Sequence, residues 1–296
     1  MLSQLQIELT NVCNCECLFC SNRLSKREIT HMNLDLLGKI VDELVDMKLP
    51  NPTGICGIGE PTLYPEFNNA IEIISRVPFS LGTNAINLTE DKIDTIIKYE
   101  FVDVSFSIDA TTSETYFNIK NNENFDKAIE HISLFLDKIK GKYKFWNNIY
   151  LQFVYSELNQ YEVQDFVDYW QESASEIDGI LIYIKSLCPS PVVEANCLYP
   201  PLLVDLSHLK HDNVVVDQLD KPIRFTNCEL FKSFALIMSD GAYSPCCMTI
   251  NDVYKVGNVQ NMSIKECYES NTLQEYIKLQ SNHKHAQIPF CKDCKC

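Results

Sequence analysis

Four cysteines lie within eight positions of the stretch NVCNCECLFC, residues 11–20. Three of them, Cys13, Cys17 and Cys20, stand at offsets of zero, four and seven on one short segment that follows the apolar run LQIEL. Zinc prefers four ligands in a closed tetrahedral site. Three thiolates would instead leave one iron of a 4Fe-4S cluster without a protein ligand. The spacing therefore predicts a cluster whose open iron can bind a substrate or a cofactor.

A second group of cysteines lies in the last quarter of the chain, where four ligands drawn from a hairpin and a terminal loop would enclose another iron–sulfur cluster. The expected ligands are Cys228, Cys246, Cys291 and Cys294. Their neighbours Cys247 and Cys296 compete for two of these positions. A zinc site of four cysteines is the alternative, because spacing alone does not separate zinc from iron.

The remaining cysteines fit no ligand pattern, and we expect them to be small buried side chains. Cys15 in particular is expected to point away from a cluster held by its neighbours. The five residues of this group are Cys15, Cys56, Cys188, Cys197 and Cys267.

Composition narrows the class of protein. The 296 residues are 46% hydrophobic, which is enough for one or two domains. The net charge of -15 argues against a nucleic-acid substrate. The chain has no signal-peptide pattern and no apolar run of about 18 residues, so no membrane association is expected. Fourteen cysteines in a reducing compartment point to metal or catalysis, and we expect a cytoplasmic protein.

Strand and helix patterns alternate through the first 185 residues. Six strands joined by helical crossovers imply a parallel sheet, which a right-handed series of βα units curls into a partial or full barrel. Such folds carry their chemistry on loops at the carboxyl ends of the strands. The predicted strands are 5–10, 53–59, 79–85, 101–109, 148–156 and 179–185, and the predicted helices between them are 34–47, 65–76, 89–99, 123–140 and 160–173.

The alternation stops near residue 186. Residues 186–227 hold five of the twelve prolines and no long periodic helix, which indicates a linker or lid. A hairpin with an Asp-Gly turn and a helix at about 262–280 follow. The fold predicted is α/β, a partial (β/α)6 barrel of TIM type in residues 1–185 followed by a small α+β unit in residues 228–296.

Taken together, the motifs resemble those of the radical S-adenosylmethionine (SAM) superfamily. Its signature is Cys-x3-Cys-x2-Cys with an aromatic residue before the last cysteine, here Phe19. GIGEP (57–61) resembles the GGEP motif of the family, with Ile58 in place of the second glycine. GTNA (82–85) is similar to its TNG motif, FSIDA (106–110) to its SxD stretch, and YSELNQYE (155–162) to a further recurring element. The resemblance covers roughly residues 5 to 185, with each piece after a strand.

The resemblance implies that the open iron binds SAM and that the reduced cluster cleaves it to a 5'-deoxyadenosyl radical. Gly57, Gly59 and Glu60 would then lie near the amino group of the methionine part of SAM. Ser107 and Asp109 would line the ribose and the active site. Asn159 would lie near SAM, and Phe19 would border the cluster.

The C-terminal unit resembles the Twitch domain, the shortened form of the SPASM extension behind many radical SAM barrels. A full SPASM pattern has seven cysteines for two auxiliary clusters, and this chain stops short of that. The cysteine spacing is similar to that of radical SAM dehydrogenases that oxidise a secondary alcohol of an aminocyclitol. The resemblance therefore implies SAM, a SAM-binding 4Fe-4S cluster and an auxiliary 4Fe-4S cluster as cofactors.

The activity implied is hydrogen abstraction from an unactivated carbon of a small sugar-like or aminocyclitol-like molecule, followed by a two-electron oxidation. A reductant such as flavodoxin or ferredoxin would supply the electron. The first alternative is a radical SAM enzyme that modifies peptides or activates a protein partner, and the second is a non-catalytic iron–sulfur or zinc scaffold. Candidate residues for holding or deprotonating the substrate are Glu194, His208, His211 and Arg224.

Overall fold

The structure is a computed structural model. It describes residues 1–141, 148–186, 206, 209, 212–217, 228, 230–247, 255–289 and 291. The strands are β1 Gln4–Ile7, β2 Thr53–Ile55, β3 Phe79–Thr83, β4 Asp103–Ser107, β5 Asn148–Tyr155, β6 Ile180–Ser186, β7 Val214–Asp217, β8 Phe234–Ile237, β9 Ala242–Ser244 and β10 Gly257–Asn258. The helices are α1 Leu34–Met47, α2 Phe67–Ile74, α3 Glu90–Lys98, α4 Ser113–Lys120, α5 Phe125–Ile139, α6 Val163–Glu176, α7 Leu230–Ser233, α8 Ile264–Tyr268 and α9 Asn271–Ser281.

All ten strands form one sheet in the order β10-β9-β8-β1-β2-β3-β4-β5-β6-β7. The strands from β8 through β1 to β7 pair in parallel, and β9 and β10 are antiparallel. The partial α/β barrel predicted from the sequence is confirmed. Because β8 pairs directly with β1, the C-terminal unit continues the sheet of the barrel.

The two faces of the sheet differ in chemistry. Side chains that alternate along each strand point to opposite faces, and one set is apolar and packs under the helices. Phe106 of β4 contacts Phe135 of α5 at 5.2 Å between ring centroids, and Phe153 of β5 contacts Phe166 of α6 at 4.9 Å. The opposite set is half-buried and polar. We call it the open face, and it is formed by Ser80, Ser105, Ser107, Gln152 and Tyr183.

The structure adds three features to the predicted elements. β7, with its three valines, lies inside the stretch expected to be a linker and pairs with β6. The expected helix at 262–280 is two helices, because Ser263 and Ser270 each cap a new N-terminus. α4 was not predicted, since it has a weak apolar stripe, although Thr112 caps its start and Asn121 ends it in the left-handed conformation with φ 49°. Among the described helices, none is long and apolar enough to cross a membrane.

A buried ion pair joins the barrel to the C-terminal hairpin. The Glu8 carboxylate, next to the end of β1, accepts hydrogen bonds from both terminal nitrogens of Arg27, at 3.1 and 2.7 Å. It also accepts the backbone N–H of Ile58 and both the N–H and the hydroxyl of Ser239. The two charged side chains are 1% and 5% exposed. A buried charge needs this degree of satisfaction to be tolerated.

Arg27→Met should be strongly destabilising, because it leaves the Glu8 carboxylate buried without its cation. The expected loss is about 3–5 kcal/mol in the free energy of unfolding. The double variant Glu8→Gln with Arg27→Met should lose less than Arg27→Met alone. Urea denaturation of the purified variants measures both effects.

Arg76→Met is the matched control, since Arg76 pairs with Asp42 at 2.7 Å but both side chains are about half exposed or more. A surface pair of this kind contributes about 0–1 kcal/mol. Equal losses for Arg27→Met and Arg76→Met would contradict a stabilising role for the buried pair.

Candidate functional site

The cysteine-bearing segment, which we call the cluster loop (residues 13–20), lies beyond the carboxyl end of β1 and is held by α4. The N–H groups of Glu16 and Leu18 donate to the carbonyls of Lys120 and Ile119, at 3.0 and 2.9 Å. Within the loop, the Cys20 N–H donates to the Cys17 carbonyl. Cys20 then caps the 3-10 helix Ser21–Leu24. The carbonyls at the end of α4 therefore fix the residues on either side of Cys17.

The thiols of Cys13, Cys15 and Cys17 are neighbours, and the expected direction of Cys15 was wrong. The segment is not helical, and residues two apart in an extended chain point to the same side. Hydrogen bonding with Cys15 lowers the pKa of Cys13, and it lowers the pKa of Cys17 to about 7, with Lys120 adding a smaller effect. The same bonds raise the pKa of Cys15, so this thiol keeps its proton. Cys13 and Cys17 thus have the thiolate character that a metal ligand needs, and Cys15 is their hydrogen-bond donor.

The donor chemistry of the loop fits a cluster with three cysteine ligands. Burial raises the pKa of Cys20, the third expected ligand, to about 11. Among the described residues, no three Cys, His, Asp or Glu side chains already converge at metal-binding distance. The loop thus presents soft ligands on one short segment without a preformed cage. Metal binding would release their protons and draw the thiolates together.

The GIGEP segment packs so closely on the cluster loop that glycine is required at two positions. A Cβ atom at Gly59 would lie 2.1 Å from the Thr10 carbonyl oxygen, and one at Gly57 would lie 2.6 Å from Cγ of Glu8. The Glu60 N–H donates to the Val12 carbonyl at 2.8 Å. The segment therefore lies against the backbone just before the cluster loop. Ile58, the departure from the family pattern, is 8% exposed and its N–H reaches Glu8.

The Glu60 carboxylate is buried and ties the second strand to the third. One oxygen accepts the Thr62 N–H and the hydroxyls of Thr62 and Thr83, at 2.6–3.0 Å. The other accepts only the Asn84 N–H, at 2.8 Å, among the hydrogen bonds of the described residues. The second oxygen has the remaining capacity to accept a bond from an ammonium group, which fits the expected role near the amino group of SAM.

The side chains of Asp109 and Asn159 form hydrogen bonds and an ion pair with other residues of the protein. Asp109 has φ 65°, and its carboxylate accepts the Val154 N–H at 2.7 Å and forms a buried ion pair with Lys120. The Asn159 amide donates to the carbonyls of Asp109 and Val154 and accepts from the N–H and hydroxyl of Ser156. These contacts make both residues organisers of the strand ends, and contact with SAM stays a prediction for them. Ser107 lies half-buried on the open face, and Phe19 is half-buried in the cluster loop.

The auxiliary cysteines are only partly within the described residues. Cys246 and Cys291 are partly buried and pack against the main core, whereas Cys247 is exposed. Cys228 is also partly buried, just before α7. This burial supports Cys246 over Cys247 as the ligand. Residues outside the described ranges are Cys188, Cys197, Cys294 and Cys296, as well as the candidate substrate-binding residues Glu194, His208, His211 and Arg224.

Two other cysteines outside the ligand sets differ in exposure. Cys267 is buried as expected. Cys56 is only partly buried, and it follows β2. Burial, the charge of Cys247 and the charge of Glu8 raise its pKa to about 12. Cys247 therefore lies near the barrel side of the C-terminal unit.

Lys120 is the main residue of the site that the sequence patterns do not reveal. It is 2% exposed, although lysine is rarely buried unless paired. Its partner, Asp109, was singled out by the SxD motif. The signals that could have located it are the Thr112 cap and the acidic residue Glu114 in the first turn of a helix that ends at Lys120.

Comparison with known proteins defines the class of this chain. Residues 7–158 match the Radical SAM superfamily, and residues 228–295 match the SPASM iron-sulfur cluster-binding domain. The chain therefore belongs to the radical SAM superfamily and is a radical SAM enzyme with a C-terminal SPASM domain. SAM, a SAM-binding 4Fe-4S cluster and an auxiliary cluster are the cofactors of this class.

Individual relatives fall into more than one functional group. Mycofactocin maturase MftC of Mycobacterium tuberculosis is 29% identical over 41% of this chain, and the match spans only 31% of that relative's length. A cysteine-type anaerobic sulfatase-maturating enzyme of Clostridium novyi is 23% identical over 99% of this chain and 85% of its own length.

Two solved structures show the same fold over most of the chain. BtrN in complex with AdoMet and 2-DOIA superimposes with a TM-score of 0.58 at 15% identity, covering 100% of this chain and 94% of BtrN. Streptococcus suis SuiB bound to its precursor peptide SuiA gives a TM-score of 0.74 at 16% identity, covering 94% of this chain and 67% of SuiB. At these identities the likeness to both structures concerns the fold.

Gly59→Ala should destabilise the protein, because its Cβ would overlap the backbone of Thr10 and Val12. Overpacking of this kind costs about 1–3 kcal/mol. Gly38→Ala is the control, since Gly38 is in α1 and a Cβ there meets nothing within 4 Å. That change should stabilise by about 0.5–1 kcal/mol through helix propensity. Thermal unfolding compares the two, and a Gly59→Ala variant as stable as the parent protein would refute the close approach.

Iron counting on the reconstituted protein should separate ligands from bystanders. Two 4Fe-4S clusters require about eight irons per chain. Cys17→Ala should retain about four irons, whereas Cys15→Ala should retain about eight. Cys246→Ala and Cys247→Ala form the matched pair for the auxiliary site, with loss of about four irons expected only for Cys246→Ala. A full iron content in Cys17→Ala, or a loss in Cys15→Ala equal to that in Cys17→Ala, would overturn the assignment.

Proposed function

We propose that this enzyme oxidises a secondary alcohol of a small sugar-like or aminocyclitol-like substrate by two electrons, with the auxiliary cluster as the electron acceptor. The observation that carries the proposal is the chemistry of the open face. The side chains on this face, from strands β3 to β6, carry mainly hydroxyl and amide groups, and the charged residues Asp103 and Lys185 lie two positions from Ser105 and Tyr183 on the same strands. Neutral donors and acceptors suit a substrate that carries several hydroxyl groups.

Hydrogen-bonding groups on the open face support the binding of such a substrate. The Ser105 hydroxyl donates to Oε1 of Gln152 at 3.3 Å, across the pairing of β4 and β5. The Tyr183 hydroxyl bonds to Oδ2 of Asp217 at 2.7 Å. The Gln152 amide nitrogen can donate a further bond, since each amide group has two donors. These groups, together with the Asp217 carboxylate, give a polyol both hydrogen-bond donors and acceptors.

The residues of the barrel mouth fit the SAM-dependent chemistry. Cys13, Cys17 and Cys20 would hold the cluster, and Glu60 would accept the amino group of SAM. When bound, SAM and the reduced cluster supply a carbon radical that abstracts hydrogen from the substrate. The part of this chain is to place the substrate carbon over the open face and to exclude water. Free thiols and a required low-potential donor such as flavodoxin or ferredoxin fit a cytoplasmic setting.

The structural neighbours include one solved with a small molecule and one solved with a peptide. BtrN was solved with AdoMet and 2-DOIA, and this chain covers 94% of its length. SuiB, which was solved with a precursor peptide, is longer, and this chain covers 67% of it. At 15% identity the likeness to BtrN is evidence for the fold alone. The proposed substrate class is therefore inferred from the side chains of the open face.

The test is turnover of a panel of cyclitols and amino sugars by reconstituted enzyme with SAM and a reductant. The expected result is one 5'-deoxyadenosine per ketone formed, with deuterium transferred from the substrate carbon to 5'-deoxyadenosine. Gln152→Leu should raise KM and preserve the uncoupled cleavage of SAM, because it removes a substrate contact and leaves the cluster loop intact. SAM cleavage without any oxidised product across the panel would count against an alcohol substrate, and no SAM cleavage at all would indicate a non-catalytic scaffold.

A second candidate is the modification of a peptide or protein side chain. It is favoured by the sulfatase-maturating enzyme of Clostridium novyi, which matches 99% of this chain. The same assay with a cysteine-containing sulfatase peptide distinguishes the two. Two-electron oxidation of the peptide cysteine, seen as a mass loss of two hydrogens or, after hydrolysis of the thioaldehyde with release of hydrogen sulfide, as replacement of its sulfur by oxygen, together with an inert polyol panel, would replace the first candidate by the second.

A further inference from the structure

The buried hydroxyl of Tyr116 has no hydrogen-bond partner among the residues that the structure describes. Tyr116 is in α4, and its side chain is fully buried with its ring tilted against Phe125 at 5.3 Å between centroids. Buried polar groups in native proteins are nearly always paired. Leaving a hydroxyl unpaired away from water is unfavourable, because its bonds to water are lost without replacement. An acceptor atom on a bound cofactor would remove this cost.

Tyr116 lies on the part of α4 that supports the cluster loop. It is one helical turn before Lys120, and residues four apart share a helix face. The carbonyls of Ile119 and Lys120 hold the residues on either side of Cys17. The Tyr116 hydroxyl is also within electrostatic range of the loop, since burial raises its pKa and the charge of Cys17 raises it further, against Lys120.

Lys120 places a buried positive charge beside the same thiols. Its ammonium pairs with Asp109, whose second oxygen is occupied by the Val154 N–H. The ion pair with Asp109 therefore holds the Lys120 ammonium group in one buried position. Its charge is among the factors that lower the pKa of Cys17, after the hydrogen bond from Cys15 and against the effect of burial. One face of α4 thus directs a hydroxyl group and a cation to the neighbourhood of Cys17.

We propose that Tyr116 is a positioning residue for the SAM-binding cluster, and that its hydroxyl donates a hydrogen bond to a sulfur atom of the cluster or of Cys17. The inference rests on the cluster assigned to Cys13, Cys17 and Cys20 and is independent of the substrate. Reduction adds one electron to the cluster and increases the negative charge on its sulfurs. Hydrogen bonds to these sulfurs stabilise the reduced state and raise the reduction potential. Lys120 acts in the same direction through its charge.

The variant Tyr116→Phe removes only the hydroxyl group. The first measurement is the midpoint reduction potential of the SAM-binding cluster, obtained by titrating the protein with dithionite and monitoring its electron paramagnetic resonance signal. The signal of this cluster is the one that changes on addition of SAM. At a fixed solution potential, the ratio of reduced to oxidised cluster should fall three- to tenfold, and a tenfold fall corresponds to 59 mV for a one-electron couple. Tyr243→Phe is the matched control, because Tyr243 is also fully buried and its hydroxyl also has no hydrogen-bond partner in the described part of the chain, but it lies in β9 of the C-terminal unit. It should leave this potential unchanged.

The second measurement compares melting temperatures with and without iron. If the cluster is the partner of the hydroxyl, Tyr116→Phe should lower the melting temperature of the iron-loaded protein and leave that of the iron-free protein equal or higher. A variant that folds but no longer retains the SAM-binding cluster would support the contact as well. An iron-loaded variant with an unchanged potential, or an equal loss of stability in both forms, would overturn it. Neither readout uses a substrate, so failure of the proposed alcohol oxidation would leave the result intact.

Discussion

The buried carboxylate of Glu8 is the interaction on which the rest of the site depends. It receives donors from three separate segments, namely Arg27 after the cluster loop, Ile58 of the GIGEP segment, and Ser239 of the C-terminal hairpin. A charge that is 1% exposed cannot lose these partners without a large free-energy cost. One side chain therefore holds three parts of the site together, namely the cluster loop, the GIGEP segment and the C-terminal unit.

Other buried carboxylates around the mouth of the barrel also accept hydrogen bonds from separate segments of the chain. Glu60 accepts donors from Thr62, Thr83 and Asn84, and Asp109 joins Val154 to Lys120. Glu162 accepts three bonds from the N-terminal segment of α4, including the Thr115 hydroxyl at 2.5 Å. Although burial opposes the effect, the bonds from Thr115, Thr111 and Thr112 lower the pKa of Glu162. The loops at the strand ends are organised by buried carboxylates, which have directional bonds that apolar packing lacks.

Sequence patterns were sufficient for the elements with strong periodicity. α1 begins and ends where predicted, because its apolar stripe is regular and Asn33 caps its start. The order of the strand-end motifs also located the cluster loop and the GIGEP segment, since each motif follows a short buried strand. Patterns failed for α4, whose stabilisation comes from its caps and from Glu162, a residue distant in sequence. The direction of Cys15 was wrong because side-chain direction in an extended loop depends on local geometry that cysteine spacing alone does not fix.

The position of the C-terminal unit depends on strand pairing between distant residues, which the sequence patterns could not predict. Its hairpin was predicted from the Asp-Gly turn, and Gly241 adopts φ 79° there. The partner of β8 was not predictable, because parallel pairing with β1 joins residues more than two hundred positions apart. α1 adds further contacts, with Lys39 donating to the Val259 carbonyl and Glu43 accepting the Ile264 N–H.

The pairing of β1 with β8 has a consequence for biogenesis. β1 is an interior strand of the finished sheet, and its edge toward β8 stays unpaired until residues 234–237 have been synthesised. Contacts of such long sequence separation form late in folding. Glu8 lacks Ser239 during the same interval, so the segment before the cluster loop reaches its final environment only after residue 239 has been synthesised. Loading of iron into this protein is accordingly expected to follow synthesis of the whole barrel and not to accompany the emergence of its first cysteines.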